Sequence, residues 1–549
     1  MAQTLYYGNK STNLPGVYTD FISGVTNQPI SASFGNVLII DTGQGAGYAG
    51  GAGIDGTLKS GIDSIQEFNS ISDYRASVKG SEIWLLAEPL FQPQGAGNPQ
   101  GTSKVYFAKG ATTAPAEIEY TFTGGGAAGG VFNAQVRDEG TVGNGVEVSS
   151  VLTRGYAGVM RAGTLDTSKF AIDFYVGTYK GADSESDPWD FIAQSNAAPS
   201  LLVSSDEFDN IADLISWANN NSTFQTYFKV KAETVTGTGA VDSADLSANT
   251  GNELASGGTE TYSTANLDLV LDAITDLDYT FVLALDNAAD AQSADNSKIL
   301  THLTTEAKYR KFMIVGGADD DTLEGSNSSS ETAAFYDSER VTVVHSGVGL
   351  RRRGATGFKD RSSLYKAALV VGRIAGQAPQ VPLTFKRLKF DKDRHELNKV
   401  EQTKCLNNGV LATVFDADFG GYIVLQGVNS KQSNDFTIAD DGSSFEISIE
   451  SIKAQLSKEI EINSKLQLLG QSSGVNRNTL KPIDVKNWLE TFLTLQEATE
   501  TTDNLITSSS NIAVTVVGDT YQVSYDFEPS FPVNKLLIIG RITDSTILS

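Results

Sequence analysis

A chain of 549 residues is too long for one hydrophobic core, and its length suggests roughly three or four domains. Its formal charge is −25, and its single cysteine, Cys405, excludes an intrachain disulfide and a thiolate metal cluster and leaves stability to packing or to neighbours. No stretch approaches the roughly 20 apolar residues of a bilayer span. The start lacks the charged and apolar regions of an export signal, so a protein made and assembled in a cytoplasm is expected.

The first forty residues read as a polar arm. Pro15 and Gly16 mark a turn, and the apolar run Val37 to Ile40 is the first buried strand. Ile62, Ile65, Phe68 and Ile71 have helical spacing and predict a helix over 62–75, with strands following at 82–87 and 104–108. A Gly-rich stretch, Gly124 to Gly130, opens a segment of alternating strands at 132–136, 145–152 and 171–176, which reads as a small β insertion.

From residue 180 the pattern returns to α/β. Helices are predicted at 211–218, 267–277 and 297–308, with strands at 279–286, 311–315 and 340–344. Residues 234–264 and 318–331 are polar and without periodicity, and are expected as exposed loops. Ala375 to Pro382 has the composition of a domain junction. Beyond it come strands at 412–415 and 422–426, a strand-to-helix segment at 445–469 and a helix at 485–497. A hairpin of 512–517 with 521–527 turns on Gly518-Asp519, and an apolar strand follows at Leu536 to Ile539.

The charge is unevenly spread. Between Arg340 and Lys404 fifteen Lys or Arg face five Asp or Glu, a local balance of +10 that leaves −35 for the rest of the chain. Such asymmetry favours oriented self-association or docking on a charged partner. Arg351, Arg352, Arg353, Lys359 and Arg361 are the basic contact candidates, and a solvated basic face is the alternative. With no aromatic interleaving around them, a nucleic-acid partner is not expected.

Three sequence signatures carry a family resemblance. The first is Leu14-Pro15-Gly16-Val17-Tyr18 ahead of a buried strand. The second is Ala134 followed by Glu139-Gly140-Thr141-Val142-Gly143-Asn144-Gly145-Val146, whose residues also suit a generic hairpin turn. The third is Leu406-Asn407-Asn408-Gly409-Val410 followed by Tyr422-Ile423-Val424-Leu425-Gln426-Gly427-Val428. In order and spacing they resemble the contractile tail sheath proteins of myovirus-type bacteriophages and related contractile injection systems. The Lys- and Arg-rich run Val381 to Val400 and the polar stretch 234–264 depart from that pattern.

The resemblance implies a multidomain α/β fold: an amino-terminal arm (1–25), an α/β segment joining the core (26–110), an inserted small β domain (111–180) and a subtilisin-like α/β domain without a triad (181–376). A tube-proximal α+β carboxy-terminal domain (377–528) and a carboxy-terminal strand arm (529–549) complete it. It further implies a helical homo-oligomer around an inner tail tube protein, with baseplate and tail terminator proteins as partners. The location would be the virion after assembly in a host cytoplasm, with no cofactor, nucleic acid or direct membrane insertion. Strand exchange would use the termini, with Thr4, Leu5, Tyr6 and Tyr7 at one end and Leu536, Leu537, Ile538 and Ile539 at the other. A terminal apolar strand can equally complete its own sheet. Rival readings are a particle-associated α/β hydrolase and a surface-layer or shell protein.

Chemistry is sparse. Only His302, His345 and His395 are available, and no Gly-x-Ser-x-Gly elbow surrounds a serine. His345 is expected to be a strand-end histidine bonded to backbone, and His395-Glu396 a surface pair. Gly43 to Gly53 lacks the Lys-Ser or Lys-Thr of a phosphate loop, and Asp319-Asp320-Asp321 lacks the alternating donors of a calcium loop. No catalytic or metal residue is assigned. Trp488 and Phe492 are expected as core residues of a helix whose charges, Asp484, Lys486, Glu490 and Glu497, could face the tube.

Overall fold

The structure, a computed structural model, describes residues 5–7, 10–12, 34–41, 47–48, 65–79, 81–95, 101–122, 130–139, 143–148, 151–164, 169–177, 199–231, 251–285, 294–306, 311–351, 358–431, 444–468, 480–498, 504–517 and 520–530. The Leu14–Tyr18 signature, residues 42–46 and 49–53, Gly518 and Asp519, Arg352, Arg353 and residues 536–539 lie outside them.

At the centre is a seven-stranded sheet in the order Val410–Leu411, Val341–Val344, Phe312–Gly316, Phe281–Leu283, Val37–Ile40, Val105–Ala108, Ile65–Phe68. Its strands are parallel except Ile65–Phe68, which runs antiparallel along Val105–Ala108. Continuous apolar runs suit strands covered on both faces. Val37, Ile39, Phe281 and Ile314 face one core, and Leu38, Ile40, Val282 and Met313 face the other.

The helix Ser363–Ala375 fills the first face, and every one of its residues is buried. Its Gly372 lies so close to the helix Ala87–Phe91 that a Cβ there would sit 2.4 Å from the Pro89 carbonyl oxygen. The helices Thr264–Ala273, Ala294–Glu306, Ser329–Tyr336 and Lys399–Asn407 carry the second core.

Two segments near the start differ from the pattern reading. Ile65–Phe68 is an edge strand, and the helix begins only at Ile71, where Ser70 Oγ accepts from the Asp73 amide. Residues 82–87, read as a strand, fall in the short helices Ser81–Leu85 and Ala87–Phe91. Short apolar runs satisfy either period, and here burial against Ser363–Ala375 settles the choice.

The β insertion packs two sheets face to face. One has the order Ser200–Ser204, Phe170–Val176, Tyr156–Ala162, Gly251–Leu254; the other is built on Thr112–Phe122 and Gly130–Glu139 with Thr259–Thr261 and Phe228–Val230 added. An aromatic core of Phe122, Phe132, Phe170, Phe174, Phe224 and Phe228 lies between them. Strand pairing therefore carries the insertion beyond residue 180 to Thr261. The helix Ile211–Asn220 packs on this core and not on the central sheet. Part of the stretch expected as a loop at 234–264 supplies the strands Gly251–Leu254 and Thr259–Thr261.

The last third holds the helices Ile447–Gln467 and Pro482–Gln496 and the hairpin Ile506–Val517 with Thr520–Pro529. Ile452, Leu456, Leu489, Phe492, Leu493 and Ile506 form their shared core.

Candidate assembly site

Pro482 opens its helix at a position where no amide hydrogen is needed, and Asp484 accepts from the Lys481 amide at 2.9 Å. Trp488 stacks on Phe492 at 5.8 Å, and its Nε1 donates to Gln467 Oε1 at 2.8 Å, which ties the two helices together. The hairpin lies over them. Among the described residues its strands pair along their length only with each other, apart from one bridge between Glu497 and Ile506.

Long outer edges with Val516, Val517 and Val523 exposed are the kind of surface that accepts a further strand. An apolar cleft of about 400 Å³, lined by Ile460, Val485, Trp488, Tyr521, Val523 and Tyr525, separates hairpin from helices. At the other end of the chain, Leu5–Tyr7 pairs antiparallel with Lys10–Thr12, so the β propensity of Leu5, Tyr6 and Tyr7 is expressed locally. Thr4 and Leu536 to Ile539 lie outside the described residues.

The basic candidates do not share one environment. Arg351 is exposed at the end of the strand Val348–Arg351, and its guanidinium lies 5.7 Å from the Phe358 ring. Lys359 and Arg361, on the paired strand Phe358–Arg361, are only 5% and 4% exposed. Strand alternation explains this: Phe358 and Asp360 point outward while Lys359 and Arg361 point inward. As surface contact residues these two are corrected.

His345 and His395 lie in a polar cluster at the carboxyl end of Val341–Val344. Ser329 Oγ lies 2.8 Å from His345 Nδ1, His345 Nε2 lies 2.9 Å from His395 Nδ1, and His395 Nε2 lies 3.5 Å from a Glu401 carboxylate oxygen. His345 therefore bonds side chains where backbone was expected. His395 is half-buried in this relay, whereas Glu396 accepts from the Tyr422 hydroxyl, so the two are not a surface pair.

Beside them Lys366 donates to both oxygens of Asp393 at 2.8 and 2.7 Å and to the His345 carbonyl at 3.1 Å. Asp393 also accepts from Ser346 Oγ at 2.7 Å and Thr413 Oγ1 at 2.5 Å. Burial, reinforced by the Lys366 ammonium, holds the His345 pKa down to about 3. Burial alone would raise Asp393, but Lys366 and the hydroxyl donors outweigh it and keep the carboxyl below its ordinary value.

The relay looks like a nucleophile with its base, yet Ser329 is 0% and His345 1% exposed. Ser329 Oγ also accepts the Ala318 amide at 2.9 Å, which fixes the turn before its helix. The cluster thus joins Ser329–Tyr336, Ser363–Ala375 and the 391–401 segment and offers a substrate no approach. Asp319 accepts from the Ser363 amide and hydroxyl at 2.6 and 2.8 Å, so part of the acidic triplet caps a helix. Among the described residues no group of three or more His, Cys, Asp or Glu could hold a metal ion, and no helix is long and apolar enough to cross a membrane.

No family model matches the chain, and no curated protein matches it. Solved structures do. The sheath tail protein of Desulfitobacterium hafniense is similar with a TM-score of 0.52 and 13% identity, over 94% of this chain and 100% of that one. A sheath tail protein of Listeria innocua gives 0.49 and 15% identity over 91% and 93% of the two chains. The helical sheath of the anti-feeding prophage in its contracted state gives 0.37 and 13% over 52% and 78%. The chain thus has the fold of a sheath tail protein, a mixed α/β multidomain architecture, as its sequence signatures lead one to expect.

Proposed function

We propose that this chain is the structural, non-enzymatic subunit of a contractile tail sheath. It polymerises helically around an inner tube and contracts to drive the tube through a cell envelope. The observation that carries the reading is a fold shared with a sheath tail protein along nearly the whole of both chains. Partners are further copies of the chain, the inner tube protein, and baseplate and terminator proteins, within a virion tail. The central domain is read as a subtilisin-like sheet that has kept its layers without a reachable nucleophile.

Work in this reading comes from a free-energy difference between two packings of the same subunit, with no cofactor. The terminal segments Thr4–Tyr7 and Leu536–Ile539 leave their own subunit and add to sheets of neighbours, which keeps the lattice linked as it shortens. The open-edged hairpin is a receiving surface of the right kind, because an added strand satisfies backbone groups that water otherwise satisfies. Arg351, with Arg352 and Arg353, contacts an acidic neighbour.

Negative-stain electron microscopy of the purified chain tests this. Hollow striated cylinders of uniform width are expected; flat lattices or closed shells would overturn it in favour of a surface-layer or shell protein.

A further inference from the structure

The Lys- and Arg-rich run between Val381 and Val400 departs from the sheath resemblance, and the structure gives it a definite form. Its strand Arg387–Leu388 lies beside the hairpin of Gly421–Val424 with Thr413–Asp416. Around that small sheet Phe385, Phe415 and Phe419 are 52%, 57% and 58% exposed. Phe385 also holds a left-handed backbone, φ 59°, which a bulky side chain adopts at a penalty. Arg387 Nη2 donates to the Gly420 carbonyl at 3.3 Å, placing the guanidinium next to the hairpin tip that carries Phe419.

Arg387, Lys389 and Lys392 are exposed, and none of them has a carboxylate partner among the described residues. Exposed aromatic rings set among unpaired cations are an interaction surface, since isolated apolar side chains need no explanation but a cluster does.

The geometry points to a docking face for the acidic β insertion of a second copy of this chain. Charge complementarity selects the occupant. Residues 112–261 carry twenty Asp or Glu against seven Lys or Arg, a balance of −13, whereas this face holds Arg387, Lys389 and Lys392 in water. At the surface of the insertion an open cleft of about 580 Å³ is lined by Asp206, Phe208, Asp213 and Trp217. It matches the opposite face in kind, because carboxylates meet guanidinium and ammonium groups and the indole face takes a cation.

The contact is heterologous: one patch on each copy meets a different patch on the next, so repetition builds a ring or a helix and not a closed dimer. This inference rests on self-assembly of the chain but not on the assembly's being a sheath.

The test uses the full-length protein in sedimentation velocity and negative-stain microscopy, with circular dichroism to confirm folding. One variant carries Arg387→Glu, Lys389→Glu and Lys392→Glu; a second carries Asp206→Lys and Asp213→Lys. Each alone is expected to raise the concentration needed for assembly roughly tenfold or more. An equimolar mixture restores it, because both types of contact are then oppositely charged again, and a chain carrying all five substitutions does the same. Phe419→Ser weakens assembly in the same direction.

Normal assembly of the first variant, failure of the mixture to recover, or a wild-type chain that stays monomeric would overturn the inference. Cylinders that ignore the charge reversals would remove it and leave the sheath reading standing. Flat lattices that are lost and regained as described would remove the sheath reading and leave the docking face.

Discussion

Replacing Asp393 by Asn removes one negative charge and almost no volume. Ser346 Oγ and Thr413 Oγ1 donate to different oxygens of Asp393, at 2.7 and 2.5 Å, so the amide oxygen keeps one of them and the other hydroxyl must turn to accept from the amide nitrogen. Lys366 does not fare so well. Its side chain is 0% exposed, and both of its short contacts to carboxylate oxygens lose their charge. Breaking a buried pair by removing one partner costs about 3–5 kcal/mol, mostly the penalty of the stranded ion.

For a cooperative unit of about 200 residues, each kcal/mol moves the midpoint by roughly 2–4 °C. The central-domain transition should therefore fall by about 10 °C in scanning calorimetry. The paired change Lys366→Met with Asp393→Asn should recover most of the loss, to within about 1–2 kcal/mol of wild type, because no buried charge remains. A single variant that melts within a degree or two of wild type, or a double variant as damaged as the single, would refute the reasoning.

Three other outcomes follow from the same structure. His345 stays neutral in the folded chain down to about pH 3, whereas an unfolded histidine takes a proton near 6.5. Below 6.5 the unfolded chain then binds the extra proton and stability falls with pH, by about 2 kcal/mol at pH 5. Urea titrations at pH 7 and pH 5 should show this drop in wild type and lose most of it in His345→Gln. Gly372→Ala places a methyl against the Pro89 carbonyl and should destabilise by about 1–3 kcal/mol, measured by denaturant midpoint. Deletion of residues 1–13 should leave a folded monomer that does not polymerise; cylinders from the truncated chain in the microscope would end the arm-exchange proposal.

Much of the fold is legible in the residues. Val37–Ile40, Phe281–Leu283 and Phe312–Gly316 are apolar without interruption, and Val341–Val344 is broken only by Thr342, which is what burial on both faces of a parallel sheet requires. The late helix and hairpin read correctly because 3.6-residue and two-residue periods are sustained over many positions there. The helix Ser363–Ala375 escaped, although it is the most buried. Its polar residues Ser363, Lys366 and Arg373 fall on one side and are buried with the rest, but in the sequence Lys366 and Arg373 disguise it as part of a basic surface.

Composition and pattern by themselves determined the class of the chain: a multidomain α/β protein, electrically two-sided, with a single cysteine and so no intrachain disulfide. The tertiary structure alone decided which charges count. Lys359, Arg361 and Lys366 look like members of one basic surface, yet strand alternation and the central helix turn them inward, where Lys366 and Asp393 need each other. Arg387, Lys389 and Lys392, a few residues away, stay in water. It also decided that the strands Ser200–Ser204, Phe228–Val230, Gly251–Leu254 and Thr259–Thr261 pair within the insertion and not in the central sheet, and that Ser329, His345 and His395 meet as a joint. The physical reason is common to all of these: local sequence sets period and propensity, but burial and partner depend on contacts between segments far apart in the chain, and those exist only once it has folded.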